Sequence, residues 1–331
     1  MADVQQVEHP GGHDRPDRVR LRGVPVQSQG AHLVDCSPPV RLRAAGPARI
    51  VHRVSHTVVA KEAVTEALSE QWSAIEGLLG GLTDAQWRAA TALPGWTVHD
   101  VVAHLIGTES MLTGQQPPQP DVQTQARLAE ATHVRNEIGA LNERWVESMR
   151  ALPPAELVDR YRTVTAQRRA ALEAMTQADF DDQTVTPVGP ESYGRFMRIR
   201  VYDCWMHELD LRDAVGLPGP DGGPRAALAW EEIVGALGFL VGKRAHAPEG
   251  SRITIETVGP LPRSLHVAVD GRAAVVEHLD GPPDVTIVLD AWLFARLTGG
   301  RTDGPAHRDD VEILGDHQLG WAVVDNLRFA I

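Results

Sequence analysis

The sequence contains few cysteines, no long apolar run and no excess of positive charge. Its two cysteines, Cys36 and Cys204, cannot build the disulfide framework of a small secreted protein. No apolar stretch is long enough to span a bilayer, and no charged segment followed by an apolar one opens the chain. A net charge of -12 argues against nucleic acid or an anionic membrane as the main partner. These absences predict a protein of the reducing cytoplasm.

Residues 1–57 differ from the rest of the chain. They hold scattered prolines and arginines and five of the 14 histidines, without a sustained helical or strand period. Such a segment buries too little apolar surface to offset the entropy lost on ordering, so we predict a disordered tail, with a targeting or interaction arm as the alternative. A mis-assigned start is a further hypothesis, with true translation beginning near Val58 or Val59. N-terminal sequencing that found Met1 or Ala2 on the native protein would contradict it.

Residues 58–216 carry apolar residues at helical spacing and predict a helical bundle. Prolines and glycines interrupt the pattern, most clearly in the linker 216–224. Beyond it the period changes from helical to alternating in several short runs. Strands grouped between helices predict a small α+β domain over 225–331, so the fold class is α+β with a bundle first. Helices are predicted at about 58–79, 97–112, 122–149, 156–175, 194–215, 225–244, 291–297 and 316–328, and strands at 252–256, 264–269, 284–289 and 311–314.

His104 lies on the second long helix predicted in the bundle, after the segment Leu93-Pro94-Gly95-Trp96-Thr97. Thr97 is a candidate N-cap, and Asp100 three residues later is a candidate capping-box partner. The apolar stripe of this helix places His104 toward the bundle interior and His99 toward solvent. Considered alone, such a histidine is more often a satisfied, partly buried residue than a metal ligand.

Asp203 and His207 are four residues apart on the last helix predicted in the bundle, one turn apart on the same face. Burying them among apolar neighbours is costly unless they are paired or coordinated. Two interpretations stay open. The pair forms an intrahelical contact or ion pairs with nearby arginines, or it joins a histidine of another helix in a metal site with an open position, as in catalytic zinc sites. Cys204 points about 100° away around the helix and is not expected to be a ligand.

Two further sets of residues are weaker candidates. Asp210 either orients an imidazole or pairs with Arg200 or Arg212, and we favour the structural role. His133 and Glu137 are also four residues apart, but the segment around them is polar. We therefore predict that they form a solvated pair rather than a site.

The Trp96-Thr97 turn followed by His104, together with the stretch 198–212 that holds Asp203 and His207, resembles the mycothiol-dependent maleylpyruvate isomerase family. Residues 297–301 and 311–316 resemble its C-terminal part more loosely. The resemblance covers about residues 58–331. It implies a DinB-like, up-down four-helix bundle that binds a metal, followed by a small α/β, sterol-carrier-like domain.

The resemblance also implies a divalent metal, with zinc expected, held by His104, Asp203 and His207. The family's acid is Glu, so Asp203 is a departure that is one methylene shorter and would move the metal or change its preference. Mycothiol is the implied co-substrate, and the arginine-rich composition fits a GC-rich actinobacterium, where mycothiol is made. An arginine of the family's C-terminal domain helps to bind an acidic substrate, and Arg301 is a candidate for it.

The implied chemistry starts with a thiol whose pKa a metal lowers, so that a thiolate is present at neutral pH. Attack of the mycothiol thiolate on a small electrophile would give isomerisation or S-transfer. Two other classes stay open: a metal-dependent hydrolase, and a metal-binding or small-molecule-binding protein without catalysis. We expect a cytoplasmic monomer or homodimer that binds small molecules, with neither nucleic acid nor membrane as partner.

Overall fold

The computed structural model describes residues 58–329, so the predicted tail and the hypothesis about the start lie outside the described residues. The first part of this range is mostly helical and contains one short hairpin. Its elements are α1 (Lys61–Leu79), α2 (Asp84–Trp87), α3 (Val98–Leu112), α4 (Val122–Glu130), α5 (Glu137–Met149), α6 (Pro154–Ala174), α7 (Gln177–Asp181), β1 (Gln183–Thr186), β2 (Gly189–Ser192) and α8 (Tyr193–Ala214).

Helices α1, α3, α5, α6 and α8 pack around a shared apolar core. Fully buried side chains such as Trp72 and Tyr161 fill it. Gly107 lets α3 approach α5 closely, because a Cβ at this position would lie 2.5 Å from Trp145. Helix α3 is therefore held at the centre, in contact with α5, α6 and α8.

The segment 122–149 is not one helix, contrary to the prediction. It breaks into α4 and α5, and residues 131–136 connect them. Asn136 ends the connection as an N-cap, since its side chain accepts a hydrogen bond from the Gly139 amide at 2.7 Å. An asparagine whose side chain binds the backbone in this way favours a helix start over a helix interior. The break places His133 in the connection and not on a helix.

The second part of the chain is a mixed sheet with helices. It contains α9 (Pro224–Phe239), a π-helical turn (Leu240–Arg244), β3 (Arg252–Val258), β4 (Arg263–Asp270), β5 (Arg272–Val276), β6 (Val285–Asp290), α10 (Ala291–Thr298), a 3-10 turn (Gly304–His307), β7 (Val311–Gly315) and α11 (His317–Val324). The strand order is β5-β4-β3-β6-β7, and β3 with β6 is parallel while the other pairs are antiparallel. The α+β fold class predicted from the sequence is confirmed. Strand β5, a half-exposed edge strand, was not predicted.

Helix α8 contributes to two apolar cores. Val201 and Cys204 face the bundle core, whereas Trp205 and Leu209 belong to the core shared with α9 and the sheet. Trp205 packs on Trp292 with ring centroids 5.5 Å apart. A helix that is buried on both sides brings groups from the C-terminal part directly against the bundle.

Polar contacts reinforce this junction. The buried Glu208 carboxylate of α8 accepts hydrogen bonds from Gln71 on α1 and from Arg225 on α9. The described residues belong to one compact unit, so a domain boundary at 216–224 stays a prediction. Between residues 58 and 329, no helix combines the length and apolar character needed to cross a membrane.

Candidate metal centre

Helix α3 carries His104 to the bundle interior because its start is set by a capping box. The Thr97 hydroxyl accepts a hydrogen bond from the Asp100 amide, and Asp100 Oδ2 accepts one from the Thr97 amide at 2.9 Å. This is the box predicted from the sequence. With the helix beginning at Val98, His104 lies on the inner face and is 5% exposed.

Helix α8 presents Asp203 and His207 one turn apart toward the same point. Ser192 caps this helix by accepting a hydrogen bond from the Arg195 amide at 3.0 Å. Asp203 Oδ1 lies 3.6 Å from His207 Nε2. His207 is 5% exposed, whereas about a third of the Asp203 side chain (34%) reaches solvent, so the site opens on the Asp203 side.

The two helices bring the three side chains together. His104 Nε2 lies 3.8 Å from Asp203 Oδ2, and the two imidazole rings are 4.8 Å apart between centroids. One ligand atom from each residue lies within 4.8 Å of the others. One nitrogen from α3, and one nitrogen and one oxygen from α8, thus converge on one small volume.

Asp210 contacts the imidazole nitrogen of His207 that faces away from Asp203. Its Oδ2 lies 3.0 Å from His207 Nδ1, which leaves Nε2 facing Asp203. The cationic partner of Asp210 is Arg301, from the loop after α10, with two hydrogen bonds of 2.9 and 2.8 Å. The interpretation that Asp210 pairs with a neighbouring arginine of its own helix was wrong. Arg212 instead binds Glu208 at 2.7 Å.

Trp96 packs against His104 from the turn before α3, with ring centroids 5.1 Å apart. Gly95 has a φ of 80°, the left-handed conformation that glycine adopts without strain after Pro94 in a tight turn. The Trp96 Nε1–H donates to Glu143 Oε2 at 2.8 Å, so α5 fixes the indole. His133 Nε2 lies 2.9 Å from the same oxygen, and the predicted His133–Glu137 pair was therefore wrong.

A buried ion network lies beneath Asp203. Arg200 contacts Asp203 Oδ2 and donates to Glu109 Oε1 at 2.8 Å, and Arg168 donates to Glu109 Oε2 at 3.0 Å. Glu109 and Arg168 are 1% and 2% exposed. Neither residue was predicted from the sequence to belong to the site. The available signal for Glu109 was its position as an acidic residue in the interior of the mostly apolar α3. Arg168 gives no such signal, because α6 contains many polar residues.

The surroundings set the charge of each group. Burial lowers the pKa of His104, so its imidazole is neutral at neutral pH, the form in which histidine binds metals. Although burial opposes it, Arg200 and then His207 hold the pKa of the Asp203 carboxyl well below its usual range. Burial raises the pKa of the Cys204 thiol, which faces Arg200 and Glu109 and not the three converging donors.

Comparison with known sequences identifies the family. The sequence model of the mycothiol maleylpyruvate isomerase N-terminal domain matches residues 68–212, and that of the C-terminal domain of the same family matches residues 227–320. The chain belongs to the mycothiol-dependent maleylpyruvate isomerase family. The resemblance noted from the sequence is thereby confirmed. All three converging side chains lie within the part that matches the N-terminal domain of this family.

Individual relatives are more distant. Uncharacterized proteins from two strains of Mycobacterium tuberculosis are 27% identical over 150 residues, which is 44% of this chain and 54% of the relatives. The chain thus matches about half the length of these relatives. The crystal structure of the mycothiol-dependent maleylpyruvate isomerase is 15% identical, with a TM-score of 0.48 over 77% of this chain and 93% of that chain. A ubiquinone synthesis protein with an SCP2 domain aligns with 29% of this chain and 92% of its own, at a TM-score of 0.23.

Acid should destabilise this family member through its buried carboxylates. Although burial opposes it, Arg301 lowers the pKa of Asp210 to about 2, and Arg200 lowers the pKa of Glu109. A carboxyl whose folded-state pKa is below its unfolded value of about 4 stabilises the protein fully above about pH 5. This stabilisation is lost as the pH falls toward the folded value. Urea unfolding of the metal-free protein between about pH 5 and about pH 2 measures it.

The variant Asp210→Asn provides the comparison for this pH series. It lacks one carboxyl that takes up a proton on unfolding. Its free energy of unfolding should therefore decrease less steeply with falling pH, and the difference in slope should correspond to the uptake of about one proton. Identical slopes for the parent and the variant would contradict the expected role of Asp210.

Proposed function

We propose that this chain is a divalent-metal-dependent enzyme, with zinc as the metal, that uses the mycothiol thiolate for isomerisation or S-transfer on a small electrophile. His104, Asp203 and His207 are the proposed ligands. The observation that carries the proposal is their convergence from two helices, with ligand atoms within 4.8 Å of one another. Membership of the mycothiol-dependent maleylpyruvate isomerase family supports mycothiol as the thiol.

The spacing of the three side chains fits a bound ion better than a set of hydrogen bonds. The separations of 3.6 and 3.8 Å between the Asp203 oxygens and the two Nε2 atoms are too long for hydrogen bonds. Ligands of a tetrahedral zinc ion, at bonds of about 2.0–2.1 Å, lie roughly 3.3–3.4 Å apart. The three ligand atoms lie within 4.8 Å of one another, so binding an ion requires them to approach by up to about 1.5 Å.

The donor set also fits the proposed metal. Two imidazoles and one carboxylate form a three-ligand set that leaves a position open, as in catalytic zinc sites. Asp203 is shorter than the Glu implied by the family, yet its two oxygens face one imidazole each. The shorter Asp203 side chain therefore faces both His207 on the same helix and His104 on α3.

The protein's own residues would prepare this site for a thiol. Asp210 favours the His207 tautomer with the proton on Nδ1, which frees Nε2. Trp96 restricts the His104 ring, and Arg200 holds Asp203 ionised. The exposed edge at Asp203 would admit the thiol and the electrophile. When bound, a divalent ion lowers the pKa of a thiol so that the thiolate exists at neutral pH.

The remaining features of the function are part of the same proposal. We place the protein in the cytoplasm of an actinobacterium, as a monomer or homodimer whose partners are mycothiol and a small-molecule substrate. We also propose that residues 58–216 form a metal-binding helical domain and that residues 225–331 form a smaller α+β domain. The net charge of -12 disfavours nucleic acid as a partner.

Metal analysis combined with mycothiol titration tests the proposal. We expect about one zinc per purified chain, and mycothiol binding by calorimetry to the zinc-loaded protein only, with the chelator-treated protein as control. Zinc with turnover of an ester or amide panel in the absence of thiol would replace the proposal with a hydrolase. Zinc with neither thiol binding nor turnover would replace it with a binding protein.

A further inference from the structure

Arg301 of the C-terminal part of the chain extends to the candidate metal centre. Arg301 Nε donates to Asp210 Oδ1 at 2.9 Å, and Arg301 Nη2 donates to Asp210 Oδ2 at 2.8 Å. The two side chains are 10% and 1% exposed. A two-pronged guanidinium–carboxylate contact of this kind fixes the plane of the carboxylate as well as its position.

Asp210 passes this orientation to a proposed metal ligand. Its Oδ2 contacts both Arg301 Nη2 and His207 Nδ1, at 2.8 and 3.0 Å. Because the imidazole pivots about its Cβ, a shift of the carboxylate turns Nε2 away from Asp203 and His104. Arg301, Asp210 and His207 thus form a continuous chain of contacts from the C-terminal part to the metal centre.

The turn after α10 holds Arg301 in place. The Arg301 amide donates to the Arg296 carbonyl at 2.8 Å, and Arg301 Nη1 donates to the Gly299 carbonyl at 2.6 Å. Gly300 has a φ of 70°, which a glycine adopts without strain. Next along the chain, the Thr302 hydroxyl lies 2.8 Å from His307 Nε2. Both ends of the arginine are therefore constrained by the loop before it meets Asp210.

We propose that Arg301 is a positioning residue through which the C-terminal part of the chain orients His207 and raises the affinity of the centre for zinc. The inference rests on the proposed metal site. It differs from the role considered for Arg301 in the sequence analysis, the binding of an acidic substrate. All three guanidinium nitrogens already donate within the protein, to Asp210 and to the Gly299 carbonyl.

The chain offers a matched control on the same helix. Asp213, three residues after Asp210, makes a two-pronged contact with Arg296 of α10, at 2.7 and 2.6 Å. This pair also joins α8 to the C-terminal part. In the described part of the chain, the hydrogen bonds and ion pairs of Asp213 do not include a proposed metal ligand. Loss of the Asp213–Arg296 pair therefore measures how much the zinc affinity changes when the contact between α8 and the C-terminal part is weakened in general.

The test compares the zinc affinity of full-length variants by competition with a chromophoric chelator. Arg301→Met should weaken zinc binding about tenfold, in line with outer-shell substitutions at other metal sites, and Arg301→Lys should lie between this variant and the parent. Arg296→Met should stay within about twofold of the parent. The visible spectrum of the Co²⁺-loaded protein should change in the Arg301 variants and not in Arg296→Met, because it reports ligand geometry. Circular dichroism of each metal-free variant shows whether it is folded.

A double-mutant cycle separates positioning through Asp210 from any other role. Asp210→Asn should weaken zinc binding about 10–100-fold, and adding Arg301→Met to it should cause little further loss. Additive losses, or equal losses in Arg301→Met and Arg296→Met, would overturn the inference while leaving the metal site intact. If the parent binds no zinc, the proposed metal site fails and this inference fails with it. If Arg301→Met does not fold, Arg301→Lys and Asp210→Asn decide the outcome.

Discussion

His207→Ala and His104→Ala are each expected to lower the zinc content from about one per chain to nearly none. Each variant removes one of three proposed ligands, and the loss of a ligand should exceed the roughly hundredfold upper range seen for outer-shell partners. Thiol-dependent turnover should fall by at least the same factor. Elemental analysis after dialysis against a weak chelator, with turnover measured on the same samples, checks both expectations.

His266 supplies the control for these variants. It lies on β4, and its Nδ1 lies 3.0 Å from the Thr254 hydroxyl oxygen. It lies outside the converging group, so His266→Ala should retain the parent's zinc content and turnover. A zinc content of about one per chain in His207→Ala, at the parent's affinity, would remove the basis of the proposed metal centre.

Glu109→Gln is expected to destabilise the metal-free protein by about 3–5 kcal/mol, because it leaves two buried guanidinium groups without their shared anion. Glu109 receives hydrogen bonds from Arg168 at 3.0 Å and from Arg200 at 2.8 Å. Both arginines are nearly inaccessible to water, so solvent cannot replace the lost charge. Urea unfolding followed by circular dichroism measures the change in the free energy of unfolding.

Glu76→Gln tests whether burial causes this effect. Glu76 pairs with Arg162 at 2.8 Å on the protein surface, where water and salt screen the interaction. The same chemical change should then have little effect on unfolding. Equal destabilisation by the two substitutions would show that the network beneath Asp203 does not depend on its burial.

Local patterns in the sequence were sufficient to predict several parts of the centre. The spacing of Asp203 and His207 predicted that both lie on one helix face, and the structure places them 3.6 Å apart. Thr97 and Asp100 predicted the start of α3 through their capping box. These features depend on residues within about one helical turn of each other, where backbone geometry alone determines proximity.

Other expectations were wrong because distant residues decided them. His133 lies in the connection between α4 and α5 and contacts the buried Glu143 of α5, ten residues away, instead of Glu137 at the start of that helix. The break between α4 and α5 that brings it there depends on a single N-cap, Asn136, within an otherwise helical pattern. Alternating residues near 272–276 are too few and too exposed to distinguish an edge strand from a loop.

The sequence by itself determined most of the helices and strands, the α+β class and the helix face shared by Asp203 and His207. Only the tertiary structure decided which third donor meets them and which groups orient them. Asp210 and Arg301 are 91 residues apart, and Glu109 and Arg200 are also 91 residues apart. Such pairs form only where packing brings two elements together, and the pattern of either element alone does not encode its partner. His104 lies beside the Asp203–His207 pair for the same reason, because α3 packs against α8.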